Sequence, residues 1–307
     1  NSVRVFINGK EERTCFRNNE EWIVNDYEED INPDLKELVN KTIEKGNSRI
    51  PEKYKDFECT KVSFACKHKG AMIEPVDKSI LYCYLPTSAS WGFPFLMNTD
   101  MIPKGDRNDI EKEVTLVGDD EKNFNQELAA IAGVKLFCWI KDLLTSKQYQ
   151  LGSVFSLIPD FKKCIKEHDF YEDYIKKFAE SFNECIENDQ IVPVRQGIAN
   201  VKNVILDTTG LTTSGILSDE EFYKFSGMED SYLPLPMLRK DKHFNSFLKR
   251  YADDEQKFSE DNLRELISNS AFQEWLKDQD NNNKFLNFLL EKDYLEDYFE
   301  ETIFIEE

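Results

Sequence analysis

Between Phe124 and Leu144 apolar residues return every third or fourth position. Leu128, Ile131, Ala132, Leu136, Trp139, Ile140 and Leu143 line one face of a helix, with Glu127, Lys135 and Lys141 off it. No other stretch constrains the fold as strongly. A helix in a protein draws most of its stability from packing such a face, so the face needs a cover, and the segments before it supply strands. Val3-Arg4-Val5-Phe6-Ile7 runs into an Asn8-Gly9 turn, with Thr14–Arg17 as its hairpin partner. Glu21–Val24 is a short apolar run. Cys59–Cys66 sets Val62, Phe64 and Cys66 against Lys61, Ser63 and Lys67, as a half-buried strand does, and Ser79–Leu85 is a further strand. Asp34–Lys45 reads as a helix, with Pro33 at its start and Gly46 at its end.

The second half changes character. Phe170–Ile186 is an aromatic-rich amphipathic helix, and Ile191–Val194 and Val204–Leu206 flank Gly197 as a hairpin. Beyond Gly210 the pattern predicts helices over Asp219–Phe225, Lys242–Tyr251, Glu260–Ser268, Ala271–Lys277 and Lys284–Tyr298, with Asp219, Ser259 and Ser270 as N-caps. The expected architecture is α+β. Residues 1–146 form a domain with a mixed sheet and helices on one face. Residues 147–307 form a mostly helical domain with a small β-hairpin near 191–206. The stretch Leu290–Glu307 interleaves aromatic and acidic residues, an amphipathic helix whose apolar side awaits further chain. Together with a start at Asn1 rather than Met, this leads us to expect a processed chain or a piece cut from a longer protein.

Charge narrows the function classes. With 39 basic and 59 acidic residues the net charge is −20, so no nucleic-acid partner is expected, because such binding rests on cations displacing counterions from phosphates. An anionic membrane surface is disfavoured for the same reason. No stretch approaches the roughly 18 apolar residues of a membrane span, and no signal peptide is present. The seven cysteines, at 15, 59, 66, 83, 138, 164 and 185, form no C-x-x-C pair, and read as reduced thiols of a cytoplasmic protein. His68, His168 and His243 are scattered, so no metal site is expected.

No complete catalytic or nucleotide-binding motif occurs: the glycines never reach G-x-x-x-x-G-K-[ST] or G-x-G-x-x-G, and neither G-x-S-x-G nor H-E-x-x-H is present. A metal-dependent nuclease or hydrolase built from clustered carboxylates lacks any compact signature. The informative segment is 85–107. It contains Leu85-Pro86-Thr87, Gly92-Phe93-Pro94-Phe95, Asn98-Thr99-Asp100 and Gly105-Asp106-Arg107. This series resembles the transducer motif of the sacsin-type branch of the GHKL ATPases, a superfamily that includes the ninety-kilodalton heat-shock chaperones, the type II topoisomerase ATPase subunits and MutL. The family outline reads L-P-T, then G-[LF]-P-F-x-[IV]-N-A-D-F, then [ST]-D-R-E. The resemblance covers residues 60–145 well, and 190–250 more loosely resembles the next region of bacterial sacsin-like proteins. Thr99 stands where the family has Ala, and Asn108 replaces the acidic residue after the arginine.

The resemblance implies a GHKL transducer-type sheet with a left-handed βαβ crossover. It implies that the ATP-binding domain lies N-terminal to this chain, because the Glu/Asn helix and the D-x-G-x-G turn of that domain are missing from the sequence. The chain would be the middle part of an ATPase, inactive alone, with that domain as its partner and a homodimer as a further assembly. ATP and magnesium would belong to the parent protein and no cofactor to this chain. Closure of the ATPase domain would be relayed onward, in a chaperone-like or defence-like role. Arg107 corresponds to the cation that reaches the γ-phosphate, and Lys104 is the alternative, since topoisomerase and MutL relatives use a lysine from a nearby loop.

The residues also carry plainer readings. Arg107 in a surface turn with an exposed ion pair would contribute under about 1 kcal/mol. Trp91, Phe93, Phe95 and Met97 read as aromatic and apolar packing of a loop on a sheet. Asn98 and Asp100 read as ligands of turn backbone groups. In Tyr232–His243 a proline-punctuated apolar run leads into a basic cluster, read as a buried linker whose basic end offsets nearby carboxylates. The rival to the ATPase reading as a whole is a stand-alone scaffold for protein partners with no nucleotide linkage.

Overall fold

A computed structural model describes residues 3–7, 10–15, 21–46, 49–118, 122–294 and 298. The chain divides into two compact units, Asn1–Cys185 and Ile186–Glu307. The division falls well past the 146 boundary drawn from the sequence. Residues 147–185 belong to the first unit because they pack on its core: Phe161 and Phe178 meet Phe93, with ring centroids 6.0 and 4.8 Å away.

In the first unit β1 (Val3–Ile7) and β2 (Lys10–Cys15) form an antiparallel pair of their own. The expected Asn8-Gly9 turn and Arg17 lie outside the described residues. The main sheet comprises β3 (Glu21–Asp30), β4 (Cys59–Lys69), β5 (Met72–Glu74), β6 (Leu81–Cys83), β7 (Leu85–Pro86) and β8 (Leu96–Thr99). Its order is β3-β4-β8-β6-β7, with β5 paired to β4. The sheet is mixed: β8 runs antiparallel to β4 and parallel to β6. Among the described residues β6 and β8 are its parallel pair, and residues 84–95 between them contain no helix. The βαβ crossover implied by the resemblance is therefore not formed there.

Alternation sets the two faces of this sheet. Val62, Phe64 and Cys66 of β4 are buried, while Val24 of β3, on the opposite face beside Ala65, is 59% exposed. Helix α1 (Pro33–Glu44) is capped by Asn32, whose side chain accepts from Asp34 N. Helix α2 (Phe124–Thr145) lies on the buried face. Trp139 stacks on Phe64 at 5.1 Å, meets Phe95 edge-on at 5.7 Å and donates its indole N–H to Asn25 at 3.1 Å. Of the predicted face, Ile131 alone is only partly buried. The buried arc of α2 is wider than the predicted face and takes in Ala129, Gly133, Phe137 and Leu144. Helices α3 (Leu151–Phe155), α4 (Phe161–Glu167) and α5 (Glu172–Asn188) come next. At Gly133 a Cβ atom would lie 2.2 Å from the Phe178 carbonyl oxygen of α5, so only glycine lets the two helices approach this closely.

The second unit is mostly helical. Its hairpin is β9 (Gln190–Val194) with β10 (Gly197–Asn200), a correction to the expected return strand. Val204–Leu206 does not close this hairpin; instead β11 (Leu206–Asp207) runs parallel to β12 (Lys257–Phe258). The helices are α6 (Leu211–Ser214), α7 (Asp219–Ser226), α8 (Pro236–Arg239), α9 (Lys242–Tyr251), α10 (Glu260–Ile267), α11 (Ser270–Trp275) and α12 (Gln279–Glu291). Two caps sit one residue before the predicted position, at Ser218 and Asn269, because the residue whose side chain accepts the first N–H groups lies outside the helix. Phe222, Phe225, Phe258, Phe272 and Phe285 fill the core. Helix α12 ends at Glu291, short of the predicted Tyr298, and Asp293 takes a left-handed conformation at φ 61° just beyond it. Most of the stretch Leu290–Glu307, expected as an amphipathic helix, lies outside the described residues.

Candidate functional site

The aromatic part of segment 85–107 is core. Trp91, Phe93, Phe95 and Met97 are all buried, and Thr87 turns the chain by donating its hydroxyl to the Leu81 carbonyl at 2.8 Å. Asn98 accepts from Tyr84 N at 2.9 Å, and buried Asp100 accepts from Lys61 N at 2.7 Å and from the Thr60 hydroxyl at 3.2 Å. These groups shape backbone, with partners on β4, on β6 and at Tyr84 just after β6.

Beyond Asp100 the chain emerges from this core as a hairpin-like loop. Pro103 bridges Ile110, Glu111 N donates to Ile102 O at 2.8 Å, and Lys104 N donates to Asp109 O at 2.7 Å. The base of the loop is pinned by Asn125, fully buried in the first turn of α2. Its amide accepts from Ile102 N at 2.8 Å and donates to the carbonyls of Ile102 at 2.9 Å and Glu111 at 2.8 Å. One side chain thus bonds three backbone groups, sharing the Ile102 carbonyl with Glu111 N.

The tip turns through Gly105-Asp106-Arg107-Asn108. Asp106 accepts from Asn108 N at 3.1 Å, and Ser88 N donates to Asn108 O at 2.7 Å, which ties the Leu-Pro-Thr turn to the loop. Arg107 takes a left-handed backbone, φ 58°, a strained conformation for a residue with a Cβ. Its N–H closes the turn on Lys104 O at 2.8 Å. Its side chain is exposed, and the guanidinium has no ion-pair or hydrogen-bond partner among the described residues.

Lys104 differs. Its ammonium pairs with Asp109 at 3.3 Å. The other oxygen of Asp109 accepts from the Tyr171 hydroxyl at 2.8 Å and from Ile110 N at 2.8 Å. Burial and then this bond push the Tyr171 phenol well above its usual range. Beside it the Lys112 ammonium donates to the Phe170 carbonyl and lies 3.0 Å from the centroid of the Phe170 ring. Lys104 approaches the same ring to 6.0 Å. Desolvation holds the Lys112 ammonium below the ordinary lysine range; Asp109 and Asp173 oppose the shift and Lys104 adds to it.

The structure therefore brings Lys104 and Arg107 onto one loop and gives them different surroundings. Sequence reasoning missed Asp109, Lys112, Asn125, Phe170 and Tyr171. Asn125 had a signal, a polar residue at the head of an apolar helix face. Phe170 and Tyr171 had none, since their contacts span about sixty residues of chain.

Other features of the described residues bear on chemistry. No group of three or more His, Cys, Asp or Glu residues is arranged to hold a metal ion. No helix is long and apolar enough to cross a membrane. Burial pushes the Cys66 and Cys83 thiols up to about 12 and Cys164 to about 11, which leaves them poor nucleophiles. In comparisons with protein-family models, curated proteins and solved structures, the chain matches none of them.

Proposed function

We propose that this chain is the transducer region of a sacsin-like GHKL ATPase, and that Arg107 is the cation it lends to the γ-phosphate of ATP held by an N-terminal ATPase domain. The observation that carries the reading is the state of Arg107: a strained, hydrogen-bonded turn fixes its backbone while its guanidinium stays unpartnered among the described residues. Fixing the backbone while leaving the exposed guanidinium to water brings no gain to a purely structural arginine. It suits one whose counter-charge arrives from outside, because a preorganised charge needs no rearrangement when the phosphate comes. Lys104 is the weaker choice, because one of its three donors already pairs with Asp109. The crossover plays no part in this reading, which rests on the motif and on the loop.

In this scheme ATP and magnesium belong to the N-terminal domain, and closure onto the loop completes the site. The parent is a cytoplasmic ATPase of chaperone-like or defence-like role, and this chain alone does not turn over ATP. The experiment is turnover in the ATP-hydrolysing parent. Arg107→Ala should lower it by about 10- to 1000-fold, the range for losing one transition-state charge contact, and Lys104→Ala should lower it less. A larger loss for Lys104→Ala moves the role to the lysine, and normal turnover in both variants removes it from the loop.

A stand-alone scaffold is the second reading. It draws on the open face of the β3–β8 sheet, where Val24 is 59% exposed, and it is favoured if no ATPase domain precedes this segment in its gene.

A further inference from the structure

We infer that Lys112 and Lys104, converging on the exposed ring of Phe170, form a binding site for a phosphate-type polyanion on this chain itself. The inference shares its loop with the proposed ATPase reading but not its reaction, and it adds a cation that the motif does not contain.

The argument starts from charge. In a chain of net charge −20, lysines normally meet carboxylates, as Lys36, Lys41, Lys61 and Lys135 do. Lys112 makes no ion pair among the described residues. Its hydrogen-bond partner is a neutral carbonyl and its neighbour a ring face. A partly desolvated ammonium without a carboxylate in contact carries an unmet charge, in keeping with its lowered proton affinity. Two carboxylates act on it without ion-pair contact, exposed Asp173 and Asp109; the side chain of Asp109 is 15% exposed and already accepts from Tyr171, Ile110 N and Lys104, while Lys104 is 40% exposed. Solvent therefore meets two ammonium groups, and the one carboxylate in contact with either, Asp109, is turned inward.

Each ammonium carries three N–H donors, so donors remain on both after their contacts to Asp109 and Phe170. An anion with several oxygens can take those donors at once, which a monovalent ion cannot. The Phe170 ring, 56% exposed, walls one side and keeps the Lys112 ammonium from spreading into solvent. At about 0.1 M salt, with a Debye length of about 10 Å, the remote carboxylates of the chain are screened while contacts within the cluster are not. Affinity in the millimolar range is expected for two exposed charge-assisted contacts.

The test titrates inorganic tripolyphosphate into the isotope-labelled chain at that salt concentration and tracks the Lys side-chain and Phe170 ring signals by NMR. Expected are saturable shifts at Lys104, Lys112 and Phe170 in the millimolar range, with Lys163 and Lys177 unmoved. Lys112→Gln should weaken binding about tenfold, the loss of one charge-assisted hydrogen bond. Lys104→Gln carries the same test should Lys112→Gln fail to fold. No saturable shift, equal shifts at Lys163 and Lys177, or an unchanged midpoint in the folded variant overturns the inference. Such a failure leaves Arg107 untouched as a partner for phosphate brought by another domain. Conversely, normal ATP turnover in Arg107→Ala would end the ATPase reading of the loop while tripolyphosphate binding stood.

Discussion

Two arginines, one in each unit, sit in similar local sequence and end in opposite states. Arg107 comes shortly after Pro103 and Lys104; Arg239 comes shortly after Pro236 and precedes Lys240. In the second unit the guanidinium of Arg239 is 7% exposed, pairs with Asp219 at 2.8 Å and donates to the carbonyls of Pro234 at 2.8 Å and Thr212 at 3.2 Å. It is a junction between the proline segment, α6 and α7, and its pair with Asp219 is the offset expected of the basic end of Tyr232–His243, although that linker is buried only in part, with Tyr232 and Met237 exposed. In the first unit Arg107 has a fixed backbone and a guanidinium without a partner among the described residues. Residue type and neighbouring prolines do not separate the two; the number of donors already satisfied does.

The contrast can be broken most forcefully at Arg239. Arg239→Ala strands Asp219 and two carbonyls, and should cost about 3–5 kcal/mol in thermal or urea denaturation. A loss under about 1 kcal/mol would mean that the junction is no more structural than a surface pair.

Asn125→Ala sharpens the other side. It leaves Ile102 N and the Glu111 carbonyl without their Asn125 partner, while the Ile102 carbonyl keeps Glu111 N, at a cost of about 1–3 kcal/mol. Amide exchange should speed up across 102–111 while the strands stay protected, which hydrogen-exchange mass spectrometry reads directly. Unchanged exchange in the loop would show that Asn125 is not what holds it.

The smallest effects belong to Arg107. Arg107→Ala should melt within about 0.5 kcal/mol of the parent chain, as for an unpartnered surface residue. Arg107→Gly should be more stable than Arg107→Ala by about 1 kcal/mol or less, since glycine takes the left-handed turn without penalty but loses more entropy on folding. A large loss in Arg107→Ala would reveal a structural role and bring it into line with Arg239.

The sequence carried some of this and not the rest, for physical reasons. Strong periodicity located α2, α1, β4 and α9, whose amphipathic patterns match their final burial. Short elements were harder: β8, four residues between Pro94 and Asp100 in a Pro/Gly-punctuated stretch, read as loop although it is central in the sheet. The hairpin partner of β9 was misread because Gly197-Ile198-Ala199-Asn200 is too short and weakly apolar to compete with Val204-Ile205-Leu206, whose burial comes from other contacts. At the candidate site the motif pointed to Lys104 and Arg107. It could not show that Asp109 occupies one of them, because that depends on how the loop folds back on itself.

The central claim is that this chain lends cations to a phosphate without holding a nucleotide site of its own. Calorimetric titration of the isolated chain with ATP and magnesium tests it most directly. The account predicts no saturable binding in the micromolar range, because no glycine-rich backbone cradle and no water-activating glutamate helix are present in the sequence. Saturable micromolar binding would contradict it, and would mean that the chain contains a nucleotide pocket of its own.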